Sequence, residues 1–178
     1  MDVKDLRILE LLQSDSTIPI REVAAEVSLS VTPCGRRINK MKSDGVILRE
    51  VALLDAKKVN LSITAFVFVK ASTTSIEWLH NFAALLDDIP EIIEAYRLNN
   101  DIDFVLKVVV PNIAAYSEVY ETLIDKSEFA SISSSFAMEE LKCTSALPLN
   151  YLEKNENSIA GKLLSPPAPA LGRWRKKA

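Results

Sequence analysis

An α+β fold in two parts is what the sequence predicts, and three patterns carry the prediction. The first 43 residues hold three short segments with apolar side chains at helical spacing. Residues 62–149 follow the order strand, helix, strand, strand, helix, strand. Residues 30–45, SVTPCGRRINKMKSDG, place Arg36, Arg37, Lys40 and Lys42 ahead of the first carboxylate, Asp44, on one of the helical segments.

The first helix is expected over residues 2–14, where Leu6, Leu9 and Leu12, with Ile8 and Leu11 beside them, form a wide apolar stripe that ends at Asp15-Ser16-Thr17. Pro19 opens a second helix over about 20–27, since a first helical turn does not need the missing N–H, and Val23, Ala24 and Val27 form its buried side. Ser28, Leu29 and Ser30 separate it from the third helix. At 100° per residue Val31, Cys34, Ile38 and Met41 share the inward arc of that helix. Thr32, Arg36, Lys40 and Ser43 share the outward arc, with Asn39 at one edge and Arg37 on the flank. Ser30 is placed as N-cap, where it can also present helix N-terminal amides to a phosphate. Asp44-Gly45 stops the helix, and the apolar stretch 46–55, VILREVALLD, reads as a short strand or hairpin. Residues 1–55 are thus expected to form a winged helix-turn-helix, a unit that sets one helix into a DNA major groove.

A linker over residues 56–61 leads to the second unit, residues 62–149. Its strands are expected at 63–71, 92–99, 103–110 and 131–142. Ile76, Leu79, Phe82, Ala83 and Leu86 mark its first helix, and Tyr116, Val119, Tyr120 and Leu123 its second. The βαββαβ order predicts a ferredoxin-like sandwich with both helices on one face of the sheet. In the first strand Phe66 and Phe68 lie on one face and Val67 and Val69 on the other. Helices cover only one of these apolar faces, so self-association is the simplest way to bury the second.

Residues 150–178 contain few large apolar side chains, a PPAPA run at 166–170 and a basic RWRKK end. That composition reads as a disordered basic tail. With six basic and two acidic residues it could serve as an auxiliary DNA-binding arm, although charge alone favours a solvated tail without function.

Composition excludes several other classes. The net charge is −3, yet residues 1–50 balance eight basic against eight acidic residues, so the basic helix stands on a neutral unit. A local basic surface suffices for groove docking, because phosphate attraction acts over about one Debye length, roughly 8–10 Å. Cys34 and Cys143 are the only cysteines and His80 the only histidine, which leaves little from which to build a zinc site or a Cys/His nucleophile pair. Both thiols read as structural and His80 as a surface residue. No catalytic residue, metal or cofactor is expected. The N-terminus lacks a secretory pattern and no apolar run approaches a membrane span, so a cytoplasmic, nucleoid-associated address with no membrane partner is expected.

Five stretches together resemble the leucine-responsive regulatory protein/AsnC (Lrp/AsnC) family of transcription regulators. They are LRILELLQSD near the start, LSVTPCGRRINKMKSDGVI at 29–47, ITAFVFV at 63–69, NNDIDFVLKVVVPNIAAY at 99–116 and SSFAMEELKCTSALPL at 134–149. The resemblance implies dimers formed through the sheet faces, often assembled into tetramers or octamers, and an amino-acid effector bound between subunits. The family's small-molecule site centres on the turn between the second and third strands, usually Gly-Asp followed by an aromatic residue and Asp. Here those positions read Asn100, Asp101, Ile102 and Asp103, and Asn100 can still adopt the left-handed conformation that the usual glycine supplies. Thr144 and Ser145 line the effector cleft in the family arrangement. Ser28 stands where the family favours Gly or Asn, and Gly35 replaces a larger helix residue.

The expected partners are therefore double-stranded DNA, other copies of the chain and a small-molecule effector. Thr32, Arg36, Asn39 and Lys40, with Ser30 at the cap and Arg37 as a phosphate contact, are the candidate DNA-binding residues; a merely solvated face is the plainer alternative for the charges. Asn100, Asp101, Asp103, Thr144 and Ser145 are the candidate effector residues. Asp101 is read equally as an amine-binding or a turn-stabilising carboxylate. The alternative function is a small-molecule-binding or enzymatic ferredoxin-like protein whose N-terminal helices serve assembly, but nothing beyond their spacing makes Asp101 and Asp103 an acid/base pair, and the chain offers no convergent acid, base or nucleophile set.

Overall fold

The computed structural model describes residues 1–73 and 75–152. The chain divides into two compact units: Met1–Leu53 together with the segment that begins at Lys142, and Leu54–Leu141. Residues 149–152 form a single 3-10 turn, and the rest of the expected tail lies outside the described residues.

The first unit holds α1 (Val3–Ser14), α2 (Ile20–Glu26) and α3 (Val31–Ser43). Asp2 caps α1 through a reciprocal box: its carboxylate accepts from the Asp5 N–H (3.0 Å) and the Asp5 carboxylate accepts from the Asp2 N–H (2.9 Å). Ile8, Val23, Ala24, Val27, Cys34, Ile38 and Met41 close the core, with Leu9, Leu12, Leu29 and Ile47 packed around them. Val31, expected inside, is 46% exposed, because it starts α3 where the first turn overhangs that core.

Both ends of the α2–α3 turn region are closed by the same local chemistry. After α2 the Leu29 N–H donates to the Ala24 carbonyl (2.9 Å) and the Ser28 N–H to that of Ala25 (3.1 Å), with Ser28 itself at φ +51°. After α3 the Val46 N–H donates to the Met41 carbonyl (2.9 Å) and the Gly45 N–H to that of Lys42 (3.2 Å), with Gly45 at φ +75°. These are Schellman closures, which need a left-handed residue just past the helix. Glycine supplies that at position 45 without strain; at position 28 a serine is forced into it.

The expected strand or hairpin over residues 46–55 does not form. VILREVALLD contains no Gly, Asn or Pro with which to turn back, and a single strand without a ladder partner is not stable. Leu48, Leu53 and Leu54 remain exposed there, while Glu50 pairs with Lys42 at 2.9 Å. In the same unit, the side-chain amide of Gln13 on α1 clasps the backbone of Leu147: its Nε2 donates to the Leu147 carbonyl and its Oε1 accepts from the Leu147 N–H, both at 3.0 Å.

The second unit begins with a 3-10 turn, Ala56–Val59, within the expected linker, capped by the Asp55 side chain. Then come β1 (Ile63–Ala71), α4 (Ile76–Asp87), β2 (Ile92–Arg97), β3 (Phe104–Val110), α5 (Ile113–Lys126) and β4 (Phe129–Phe136). The sheet order is β2-β3-β1-β4 with every pair antiparallel, the ferredoxin-like arrangement. Ala65, Val67 and Val69 of β1 and Leu106, Val108 and Val110 of β3 are buried with Phe82 and Leu85 of α4 and Tyr116, Val119 and Leu123 of α5. Fully burying one such aliphatic side chain contributes about 1.5–3 kcal/mol.

β4 stops six residues short of the expected end. Its partner β1 runs out: Phe136 pairs with Ala65, a last bond joins the Ala137 N–H to the Thr64 carbonyl (2.9 Å), and Met138 and Leu141 beyond it are exposed. The other face of the sheet carries Phe66, Phe68, Val105 and Tyr96, with Phe68 opposite Val105 and Val105 opposite Tyr96. Phe66 is 36% and Tyr96 57% exposed, so this second apolar face is open in the single chain. A half-buried pair, Lys107 to Glu94 at 2.9 Å, crosses it.

Candidate nucleic-acid interface and effector turn

Helix α3 presents two unlike sides. Cys34, Ile38 and Met41 are buried, whereas Thr32, Arg36, Asn39, Lys40 and Ser43 are exposed, as the angular reading requires. Arg36 forms no ion pair among the described residues. Lys40 pairs with Asp44 one turn on (2.9 Å), but its side chain is 75% exposed, and such surface pairs are worth little. Its ammonium can therefore exchange that carboxylate for a phosphate at small cost, and the Asp44 hydrogen bond holds its pKa above the ordinary lysine value.

Two expectations at this helix change. Ser30 occupies the N-cap with an extended backbone, but its hydroxyl makes no capping bond; the first intrahelical bond is Cys34 N–H to the Ser30 carbonyl at 3.2 Å, and Pro33 has no N–H to cap. Arg37 does not project as a phosphate contact. Its Nη1 is shared by Asp2 Oδ2 and Asp5 Oδ1, each at 2.7 Å, so its charge is already matched inside the unit. Gly35 marks a close approach: a Cβ there would stand 3.2 Å from Ile20 Cδ1 of α2. It lines a cleft of about 230 Å³ with Ile20, Val23, Ile38 and Asn39, at the edge of the outward face.

The turn joining β2 to β3 is held from within. The Leu98 N–H donates to the Asp103 carbonyl (2.7 Å), and the Asn100 carboxamide oxygen accepts from the Ile102 N–H (2.9 Å). Asn100 does not use the left-handed conformation open to it; the only non-glycine residues with positive φ among those described are Ser28 and Asn60. The side-chain bond to residue 102 does the work that a glycine's conformation would otherwise do. Asp103 is a strut: its N–H donates to the Val69 carbonyl and its carboxylate accepts from the Ala71 N–H, both at 2.9 Å, where the β1–β4 register slips. Asp101 is exposed at the tip. Thr144 and Ser145 are exposed in the segment that belongs with the first unit, where the Thr144 hydroxyl accepts from the Ala146 N–H (3.1 Å). Neither unit by itself brings these two together with Asn100, Asp101 and Asp103.

Asp2, Asp5 and Gln13 are the contributors that the sequence reading missed. Asp2-x-x-Asp5 is a legible capping pattern, but nothing local points from it to Arg37, or from Gln13 to Leu147.

Among the described residues no group of His, Cys, Asp and Glu could hold a metal, and no helix is long and apolar enough to cross a membrane. Family models match both units: the winged helix-turn-helix DNA-binding model over residues 1–47 and the Lrp/AsnC ligand binding domain over residues 64–147. Fold and site thus define a DNA-binding transcription regulator. A glutamate uptake regulatory protein of Zymomonas mobilis is 42% identical over 149 residues, covering 84% of this chain and 91% of that protein. The DNA-binding transcriptional activator DecR of Escherichia coli is 35% identical over 150 residues, covering 84% and 99%. Among solved structures, an AsnC family transcriptional regulator from Agrobacterium tumefaciens is 50% identical with TM-score 0.82, covering 85% of this chain and 99% of that one. A Neisseria meningitidis transcriptional regulator solved in complex with L-Met is 31% identical with TM-score 0.81 and the same coverage. The chain belongs to the Lrp/AsnC family, and it is a regulator rather than an enzyme.

Proposed function

We propose that this chain regulates transcription as a cytoplasmic, nucleoid-associated homo-oligomer whose paired α3 helices engage a pseudo-palindromic DNA site. The exposed polar face of α3 carries this reading: Thr32, Arg36 and Asn39 face outward, Lys40 is tied only by a surface pair, and Ser30 keeps its hydroxyl free of the cap. Arg36 and Asn39 are suited to base edges, Lys40 and Ser30 to phosphates. The open sheet face of Phe66, Phe68, Val105 and Tyr96 supports assembly between copies. The effector is an amino acid or a similar small molecule bound between second units of neighbouring copies, at the Asn100–Asp101 turn that Asp103 braces. The methionine complex of the Neisseria relative supports an amino acid in kind. Control then follows from unequal affinity of the effector for two quaternary arrangements.

The test is DNA retardation with a fragment from the protein's own gene neighbourhood across a salt series. Arg36→Ala and Lys40→Ala are each expected to weaken binding, the first by relaxing sequence discrimination and the second by lowering the slope of log K against log salt by about one. Binding that ignores salt, or no retarded complex, would count against the reading. A thermal-shift screen of the free amino acids, read with the mass in solution, tests effector and assembly together.

A further inference from the structure

We propose that Arg37, with Asp2 and Asp5, is a positioning latch that sets the angle of α3 on α1, so that the helix presents Arg36, Thr32 and Lys40 correctly to DNA. The inference rests on the DNA-binding reading above and assigns a role to three residues that do not themselves touch the duplex.

Each aspartate divides its two oxygens between two tasks. Asp2 Oδ1 accepts from the Asp5 N–H and Asp2 Oδ2 from Arg37; Asp5 Oδ2 accepts from the Asp2 N–H and Asp5 Oδ1 from Arg37. The N-terminal cap of α1 and the tie to α3 are therefore one structure, and neither carboxylate can swing away without opening both. The pair is also better shielded than the other ion pairs of this unit. Arg37 is 33% and Asp5 15% exposed at the side chain, whereas Lys40 and Arg7 are at least half exposed in theirs. The Asp5 and Asp2 hydrogen bonds hold the guanidinium still further above its ordinary range, and the Asp5 amide and Arg37 depress the Asp2 carboxyl.

Charge separates a latch from a phosphate contact. Two carboxylates and one guanidinium sum to −1, a cluster that repels a phosphate within a Debye length. Position separates them as well. Arg37 lies between the outward Arg36 and the buried Cys34 and Ile38, so a small rotation of α3 about its axis would carry Arg36 off the groove while leaving the core largely intact. Both bonds leave one nitrogen, Nη1, whose two hydrogens are fixed in the guanidinium plane, so the bridge is directional in a way that a freely rotating ammonium on a shorter stem is not.

The experiment measures affinity and salt slope by fluorescence anisotropy for the full chain and its variants, on a duplex obtained by in vitro selection with the wild type. Arg37→Ala is expected to weaken binding several-fold while keeping the wild-type slope, whereas Lys40→Ala lowers the slope by about one. Arg37→Lys, which keeps the charge but loses the reach and the fixed in-plane donors of Nη1, is expected to weaken binding nearly as much as Arg37→Ala. Asp2→Asn/Asp5→Asn removes negative charge and is nevertheless expected to weaken binding. A slope reduced by about one in Arg37→Ala, retained affinity in Arg37→Lys, or tighter binding by the double aspartate variant would each overturn the latch. Near-ultraviolet circular dichroism confirms folding, and if Arg37→Ala fails to fold, Asp5→Asn alone carries the comparison with the same expected loss. Failure of the wild type to select any duplex would instead remove the DNA-binding reading, and it would be seen before any variant is measured.

Discussion

Gly35→Ala sets two physical effects of similar size against each other at one atom. Replacing glycine inside a helix gains about 0.8–1.0 kcal/mol of helix propensity. Against it, the new Cβ would sit 3.2 Å from Ile20 Cδ1, a few tenths of an ångström inside comfortable carbon contact. The opposing atom decides the sign. Cδ1 is the far end of a side chain that is 41% exposed, so it can turn aside rather than push α2 away. A shifted rotamer costs about 0.5 kcal/mol at the low end of its range, which leaves a net gain of about 0.5 kcal/mol. For a chain of this size that is an increase in Tm of about 1–2 °C, measured by calorimetry or thermal circular dichroism. DNA affinity should not change, because Gly35 faces α2. Gly35→Val adds bulk that cannot be accommodated in the same way and should destabilise by about 1–3 kcal/mol. A fall in Tm for Gly35→Ala that Ile20→Ala does not reverse would show the α2–α3 approach to be rigid and the accounting to be wrong.

Two other predictions concern strain and titration. Ser28→Gly relieves about 1–2 kcal/mol of left-handed strain at φ +51° and returns about 0.5–1 kcal/mol as chain flexibility, so a thermal melt should show a small rise, and Ser28→Val a clear loss. A fall with glycine would mean that the Ser28 side chain supplies something beyond its backbone shape. Acid should weaken both units. Asp2 is depressed below its ordinary 3.8 mainly by the Asp5 amide, and Glu94 below 4.5 mainly by Lys107. Groups with folded pKa values below their unfolded ones contribute stability that is present above the unfolded value and lost as pH falls through the folded one. Tm should therefore hold from neutral pH down to about 5 and decline below roughly 4.5. Glu94→Gln should flatten part of that decline; an unchanged acid limb would exclude the pair as its source.

What the residues disclosed by themselves, and what they withheld, divides along the range of the interactions involved. Helices α1 to α3 and strand β1 follow from local periodicity, and Gly45 announces the end of α3. The missing strand at 46–55 and the early end of β4 are matters of partners: strand propensity is present in VILREVALLD and around Met138, but no ladder receives it. Asn100 fails as a stand-in glycine for a local reason, since its side chain offers a bond to Ile102 that makes the left-handed backbone unnecessary. The outward face of α3 was legible from angles alone, yet Arg37 on its flank was not, because its partners lie 32 and 35 residues away. The effector turn was legible only by resemblance, and the structure shows that one of its two carboxylates, Asp103, is a strut.

The clasp of Gln13 on Leu147 spans 134 residues of chain. At ribosomal rates of about 5–20 residues per second, α1 waits roughly 7–27 seconds for that partner to be synthesised. Among the described residues the sheet unit is an insertion within the helical one, so the DNA-binding unit is begun first and closed only after the sheet unit has been made. A nascent or prematurely terminated chain would carry α3 without the closing segment on α1. Completion of the regulator is thus tied to arrival of the residues that follow its sensor.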